Sequence, residues 1–284
     1  MKSNIYTIII LIFSLLLTYL SVDNTLIFLG VPSIYFIWSL IFIIQFIVFI
    51  PSFIFKTEHY YDLTGGITFI SSIILSLYIK GLVHEIDLRS ILVSVMVFVW
   101  AVRLSTFLFL RVKKIGEDIR FKKIKKSFSR YLFTFTLQGF WVFMCVFPAL
   151  IILNSIESRL DIYTLIGCIV WLFGFVFQVI ADIQKSKFNK TKKGKFISNG
   201  LWSISRHPNY FGEFLIWTGV TIISLSSLSG FQYLVLLTPI FVYLLLNKVS
   251  GVNLLEEIGD RRWGHKIEYQ NYKKNTPVFF PKLF

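Results

Sequence analysis

Within nine residues, from Ser205 to Glu213, the stretch "SRHPNYFGE" gathers a guanidinium, an imidazole, a proline, a carboxamide, a phenol and a carboxylate. The residues that follow, "FLIWTGVTIISLSSL", are apolar enough to enter a membrane. Pro208 suits the first turn of a helix, where its missing N–H costs nothing. A helix beginning there aims its positive dipole end, together with Arg206, His207 and unpaired backbone N–H groups, at an anion such as phosphate or carboxylate. Asn209 and Glu213 are at i and i+4 and can orient one ligand group jointly. Gly212 admits a neighbouring helix or a flat ring. The plainer alternative makes Arg206 and His207 headgroup anchors, Tyr210 part of an aromatic belt, and Glu213 a partner for Arg206. An anchor has no use for Asn209 beside a membrane-buried glutamate, so the set favours ligand binding.

Three further polar groups flank apolar runs: "KTEHYYDLTGG" (Lys56–Gly66), "RVKKIGEDIRF" (Arg111–Phe121) and the tail Leu254–Pro281. Upstream of the opening motif, Asp182, Lys185 and Asn189 fall on one helical face, at i, i+3 and i+7. Ionisable residues at membrane depth are costly and are functional candidates by default, although a snorkelling interfacial ring also explains Asp182. In the tail, Glu256, Glu257, Arg261, Arg262, Tyr269 and Tyr272 lie on a helix-like stretch broken by Gly259 and Gly264 and stopped by Pro277 and Pro281. Such a tail can cover the mouth of a site, or it can be a solvated basic tail. The two cysteines, Cys145 and Cys168, sit in apolar runs without metal-ligand spacing, so they read as packing residues and no metal is expected.

The elements that position these residues follow from composition. Of 284 residues, 55% are hydrophobic and 15% charged, which indicates an integral membrane protein. The first apolar run reads as a membrane segment, not a cleavable signal. Candidate spans are Ile5–Ser21, Ser33–Phe55, Thr64–Ile79, Arg89–Leu110, Tyr131–Leu153, Asp161–Ala181, Phe211–Leu228 and Phe231–Leu246, each near the roughly 20 apolar residues a crossing helix needs. The expected fold is an all-α polytopic bundle of seven or eight transmembrane helices. It forms a single membrane domain over 1–284, with N-terminal helices at 1–55 and a second region at 56–284 that ends in a polar tail at 250–284. Of the 29 Lys and Arg residues, nine lie in 111–130, seven in 183–210 and seven in 248–284. The positive-inside rule then puts those segments and both termini in the cytosol. The net charge of +14 is explained by lipid and topology, so nucleic acid is excluded as a partner.

"GLWSISRHPNYFGEFLIWTGV" resembles the core motif of the DUF1295 branch of the steroid 5-alpha-reductase-like integral membrane family. The resemblance extends to "YDLTGGITFI", "WAVRLSTFLFLRVKKIGEDIRF", "ADIQKSKFN", "VSGVNLLEE" and "YQNYKKNTPVFFP", in the family's order from about residue 56. Asn253 departs from it, standing where proline is expected. The resemblance implies a helix bundle with a cofactor cavity on the cytosolic side, and an NADPH-dependent reductase of a C=C bond conjugated to a carbonyl in a lipid-like, steroid- or prenyl-like substrate. It implies cofactor contacts from Arg111, Asp182, Lys185, Asn189, Arg206, His207, Asn209, Tyr210 and Glu213, and from Glu257, Tyr269 and Tyr272 in the tail. There is no GxGxxG motif after a strand, so the cofactor would be held without a Rossmann domain. A proton donor must serve the oxygen on which charge develops. "EHYYDL" supplies the catalytic candidates Asp62 and Tyr61, with Glu58 in reserve; otherwise this stretch is only an interfacial turn. The shorter RHPxY pattern also occurs in membrane methyltransferases of the isoprenylcysteine and phospholipid type. That leaves an S-adenosylmethionine-dependent methyltransferase as the alternative, and a non-enzymatic lipid-binding protein as a third reading.

Overall fold

The computed structural model describes residues 2–115, 121–156, 159–192, 194–249 and 251–282. The "GEDIR" part of the family resemblance, 116–120, lies outside the described residues. The elements are α1 (Lys2–Leu20), β1 (Ile27–Phe28), β2 (Val31–Pro32), α2 (Ile34–Ile54), α3 (Tyr61–Val83), α4 (Leu88–Ile115), α5 (Phe121–Ile124), α6 (Phe128–Asn154), α7 (Ile162–Thr191), α8 (Pro208–Ser224), α9 (Leu237–Leu244), α10 (Val252–Trp263) and α11 (Ile267–Asn275). Lipid offers no partner for backbone polar groups, so apolar runs of this length close their own hydrogen bonds as helices. Among the described residues, seven helical stretches are long and apolar enough to cross a membrane. The expected all-α polytopic bundle is therefore what forms.

The expected span at Phe211–Leu228 comes out shorter. Its helix, α8, has 17 residues and gives way to a 3-10 turn at Leu225–Ser227. At 1.5 Å per residue α8 is about 25 Å long, against the roughly 30 Å of a bilayer core.

The chain divides into two compact units. The first comprises Met1–Asp161 and Ser224–Val235. Its axis is α6, in which every residue from Val142 to Asn154 is buried. Helices α1, α2, α3 and α4 pack round it. On α1 the outward residues Ile5, Ile8, Ile12 and Leu16 are exposed, the apolar face that lipid would cover. Helix α3 carries a buried ladder of hydroxyls: Thr64, Thr68, Ser72 and Ser76 each donate to the carbonyl four residues back. Small, self-satisfied side chains of this kind let helices approach closely without stranding polar groups. Gly66 continues this, since a Cβ there would lie 2.4 Å from Ser105 of α4.

The second unit comprises Ile162–Ile223 and Leu236–Phe284. Here α7 and α8 cross backbone to backbone through Gly167 and Gly174 on one helix and Gly212 and Gly219 on the other. A Cβ on Gly174 would stand 2.7 Å from the Gly212 carbonyl, and one on Gly219 would stand 2.7 Å from that of Gly167. Neither position tolerates a side chain. The pairing of Gly167 with Gly219 and of Gly174 with Gly212 makes the crossing antiparallel and sets the second turn of α8 against the middle of α7.

Candidate functional site

The glycine crossing fixes which side chains meet. Gln178 of α7 donates to Glu213 of α8 at 3.3 Å, with both residues buried. One turn further along α7, Asp182 is also buried. Beyond it the chain folds back onto α7. Gln184 accepts from the Leu201 N–H at 3.0 Å, and the Trp202 indole donates to the Ala181 carbonyl at 3.1 Å. Gly200 makes this return possible: its φ is +61°, and a Cβ there would collide with Gln184 at 2.6 Å. Trp202 is thereby buried, with the Lys185 ammonium 4.6 Å above its ring.

The segment leading into α8 is strapped by the C-terminal tail. The Arg206 N–H donates to the Pro277 carbonyl at 2.9 Å, Ser205 Oγ to the Phe279 carbonyl at 2.9 Å, and the Lys282 N–H to the Ile204 carbonyl at 2.8 Å. Phe279 and Phe280 pack on Phe214 of α8 and Tyr243 of α9.

At the head of α8, Arg206 and His207 share one carboxylate, that of Glu256 on α10. Arg206 pairs with Oε2, and His207 Nε2 lies 2.9 Å from Oε1. Lys273 of α11 approaches the same carboxylate at 3.4 Å and also bonds Asp260 at 2.6 Å. The His207 ring stacks on Tyr210, and Tyr210 itself packs on Gly251. Burial holds the His207 pKa below its ordinary value of 6.5, aided by the charges of Lys185 and Arg206 and opposed by Glu256. The imidazole is therefore neutral at pH 7. Glu256 calls for the proton on Nε2, which leaves Nδ1 as a buried acceptor with no partner among the described residues. Arg206 Nε is likewise a buried donor without one.

Two phenols close this cluster. The Tyr272 hydroxyl donates to the Trp202 carbonyl at 2.6 Å. Burial raises its pKa and Glu256 adds to the rise, against the opposing charge of Arg206. Tyr269 is pushed up to about 12, by burial first and then by Glu256 and Asp260. Both phenols therefore remain hydrogen-bond donors at any physiological pH.

Of the residues expected from sequence, Asp182, Lys185, Arg206, His207, Asn209, Tyr210, Glu213, Tyr269 and Tyr272 all belong to this unit. Asn189 is exposed near the end of α7, and Glu257 is exposed and pairs with Arg261 one turn on. Arg111 is exposed near the end of α4, in the first unit. Glu256, next to Glu257, is the glutamate that faces the site. A signal for this exists in the sequence: Glu257 has an opposite charge four residues on, in Arg261, whereas Glu256 has only Asp260 there. Lys273 and Gln178 carry no such signal.

The catalytic candidates occupy the start of α3 in the first unit. Glu58 is buried and bonded to Lys125 at 2.7 Å. The Tyr61 hydroxyl donates to the Thr134 carbonyl at 3.0 Å. Asp62 is half-buried in the first turn of the helix.

The fold and site define an all-α polytopic membrane protein with a partly buried Arg–His–Glu cluster at the head of a short helix. The chain belongs to the family described as "Protein of unknown function (DUF1295)", whose profile matches residues 48–276. It is also similar to the Delta(14)-sterol reductase of Arabidopsis thaliana, with 28% identity over 114 residues. That similarity covers 36% of this chain and 28% of the plant protein, well under two thirds of its length. No solved structure matches.

Proposed function

We propose that this protein is a membrane-embedded, NADPH-dependent reductase of a C=C bond conjugated to a carbonyl in a lipid-like substrate. The observation that carries the reading is the convergence of Arg206, His207 and Lys273 on the Glu256 carboxylate at the head of α8. The similarity to a sterol reductase supports the chemistry.

The residues fit a dinucleotide. Arg206 and Lys273, with Lys185 on the same unit, supply charge for phosphates. His207 Nδ1 is an open acceptor for an amide N–H, and Arg206 Nε an open donor. Asn209, Tyr210 and Glu213 present amide, phenol and carboxylate from the first two turns of α8, and Asp182, Asn189 and Tyr272 add polar groups from α7 and α11. We assign Glu256 the positioning of Arg206 and His207, a part first expected of Glu257 and the tail. The bound cofactor would supply the hydride. The protein's task is to stabilise the substrate oxygen as charge develops and to deliver a proton. Asp62, half-buried in the first turn of α3, is the proposed donor, with Tyr61 beside it and Glu58 in reserve. Arg111, exposed on α4, is retained as a cofactor contact on the family resemblance alone. The basic segments and both termini are placed in the cytosol, where NADPH is found, by the Lys and Arg distribution.

The test is ligand-dependent thermal stabilisation of the detergent-purified protein. Arg206→Ala and Asn209→Ala should each abolish stabilisation by NADPH while leaving the ligand-free melting transition in place. Retained NADPH binding in both variants would remove the site assignment.

A further inference from the structure

The first unit carries a basic corner that the cofactor reading does not use. Helix α2 ends there at Ile54, and α5 and the start of α6 pack against that end. On α5, Phe121 and Ile124 lie against Phe49 of α2 and Tyr131 and Phe135 of α6. They stand at i and i+3, so one face of this short helix is pinned to the core. Lys122 and Lys123 on its other face are exposed, as are Lys126 and Arg130 just beyond. Lys125 is engaged, bonding the buried Glu58 at 2.7 Å. The four exposed cations make no ion pair among the described residues. Over residues 111–130 as a whole, nine Lys and Arg stand against two acidic residues, so the local excess is positive.

The turn after α2 adds a fifth cation where backbone sterics argue against one. The Thr57 N–H bonds the Ser52 carbonyl at 3.0 Å, and the Lys56 N–H bonds that of Phe53 at 3.4 Å. In this way of ending a helix the left-handed residue is ordinarily glycine. Here it is Lys56, at φ +51°. Its ammonium lies 3.4 Å over the Phe53 ring, and Phe53 meets Phe128 edge-on at 5.2 Å. Beside them Ile54, Phe55 and Phe128 are all exposed. Cations and apolar surface thus share one corner, at the ends of two helices long and apolar enough to cross a membrane. Topology accounts for basic residues anywhere in such a loop. It does not account for a lysine where glycine fits without strain, nor for rings left open beside it.

We propose that this corner is a binding site for an anionic phospholipid. Lys56, Lys122, Lys123, Lys126 and Arg130 meet its headgroup, and Ile54, Phe55 and Phe128 meet the upper part of its acyl chains. Charge complementarity selects the class. A headgroup with net negative charge is attracted by every cation of the corner. A zwitterionic headgroup brings its own ammonium and forfeits most of that attraction. A soluble phosphate satisfies the cations but leaves the apolar surface uncovered. The proposal takes nothing from the cofactor reading, and the two can fail separately.

The probes are dioleoylphosphatidylglycerol and dioleoylphosphatidylcholine, which share both acyl chains and differ in headgroup charge. Each is titrated into the detergent-purified protein without any cofactor, and affinity is read from the rise in melting temperature. The anionic lipid should bind about tenfold more tightly at about 0.1 M salt, the scale of one or two basic residues at an anionic surface. The preference should shrink at about 0.5 M salt, where screening is stronger. The triple variant Lys122→Gln, Lys123→Gln, Lys126→Gln should lose it. The triple variant Arg262→Gln, Lys266→Gln, Lys274→Gln removes as many exposed charges from the second unit and should keep it. Lys56→Gly should weaken the preference without lowering the lipid-free melting temperature, since glycine suits that turn. Equal affinity for the two lipids in the wild-type protein overturns the proposal, and so does equal stabilisation by inorganic phosphate alone. Neither comparison needs a variant to fold. A preference that survives the first triple variant, or falls equally in both, also overturns it, because net charge and not this corner would then be responsible.

Discussion

The ion pair of a buried lysine in the first unit and the partly buried cluster of the second unit differ in how far their hydrogen-bonding capacity is met. In the first unit, Lys80 is fully buried between α3 and α4. Its ammonium bonds Asp87 at 2.6 Å, Ser90 at 2.9 Å and the Ser155 carbonyl at 3.1 Å. Three donors meet three acceptors, and nothing is left over. In the second unit, Arg206 and His207 share Glu256 and still hold buried nitrogens with no partner among the described residues. The charges are comparable. What differs is residual hydrogen-bonding capacity, and that capacity, more than buried charge, marks the place where a ligand belongs.

The largest expected effect breaks the closed cluster. Lys80→Met should destabilise the protein by about 3–5 kcal/mol, because it breaks an ion pair at a fully buried lysine and leaves Asp87, the buried Ser90 hydroxyl and the Ser155 carbonyl without their shared donor. Denaturant titration in detergent checks this, and the protein that remains folded should bind NADPH normally. A change below about 1 kcal/mol would deny the closed cluster its structural role.

A smaller effect sharpens the open cluster. Glu256→Gln removes the carboxylate shared by three basic side chains and should cost about 1–3 kcal/mol. Glu257→Gln, at the exposed neighbour, should change stability by no more than about 0.5 kcal/mol. Equal effects in paired melting curves would contradict the inward and outward assignments.

The smallest effect concerns pH. The folded-state pKa of His207 is depressed, so its contribution to stability is fully present above the unfolded value near 6.5. It is lost as pH falls toward the folded value, because only the unfolded chain takes up the proton readily. Melting temperatures recorded from pH 7.5 to 5 should decline in wild type and decline less in His207→Gln. Parallel curves would show that His207 does not titrate as its surroundings require.

Much of this was legible in the sequence because apolar runs and basic loops obey bilayer physics. Most spans came through near their expected limits, but α7 runs ten residues past the expected end at Ala181, the Phe231–Leu246 span is α-helical only over Leu237–Leu244, and "SLSSLSG" ends α8, since an apolar average hides the serines and the glycine that break the helix. Pro208 at the first position of α8 was readable for the same local reason. The site was half-legible. The residues of "SRHPNYFGE" announce themselves by type, but their partners lie far along the chain. Glu256 stands 50 residues from Arg206, and Lys125 stands 67 from Glu58. Only tertiary packing shows that Tyr61 and Glu58 are engaged, or that glycines seven residues apart on α7 meet glycines seven apart on α8.

The account stands on the claim that the open cluster at the head of α8 is a site for a reduced dinucleotide. The most direct measurement is thermal stabilisation of the wild-type protein by NADPH and, separately, by S-adenosylmethionine. NADPH should raise the melting temperature in a saturable manner while S-adenosylmethionine leaves it unchanged. Stabilisation by S-adenosylmethionine with NADPH silent would contradict the account and identify a methyltransferase site instead.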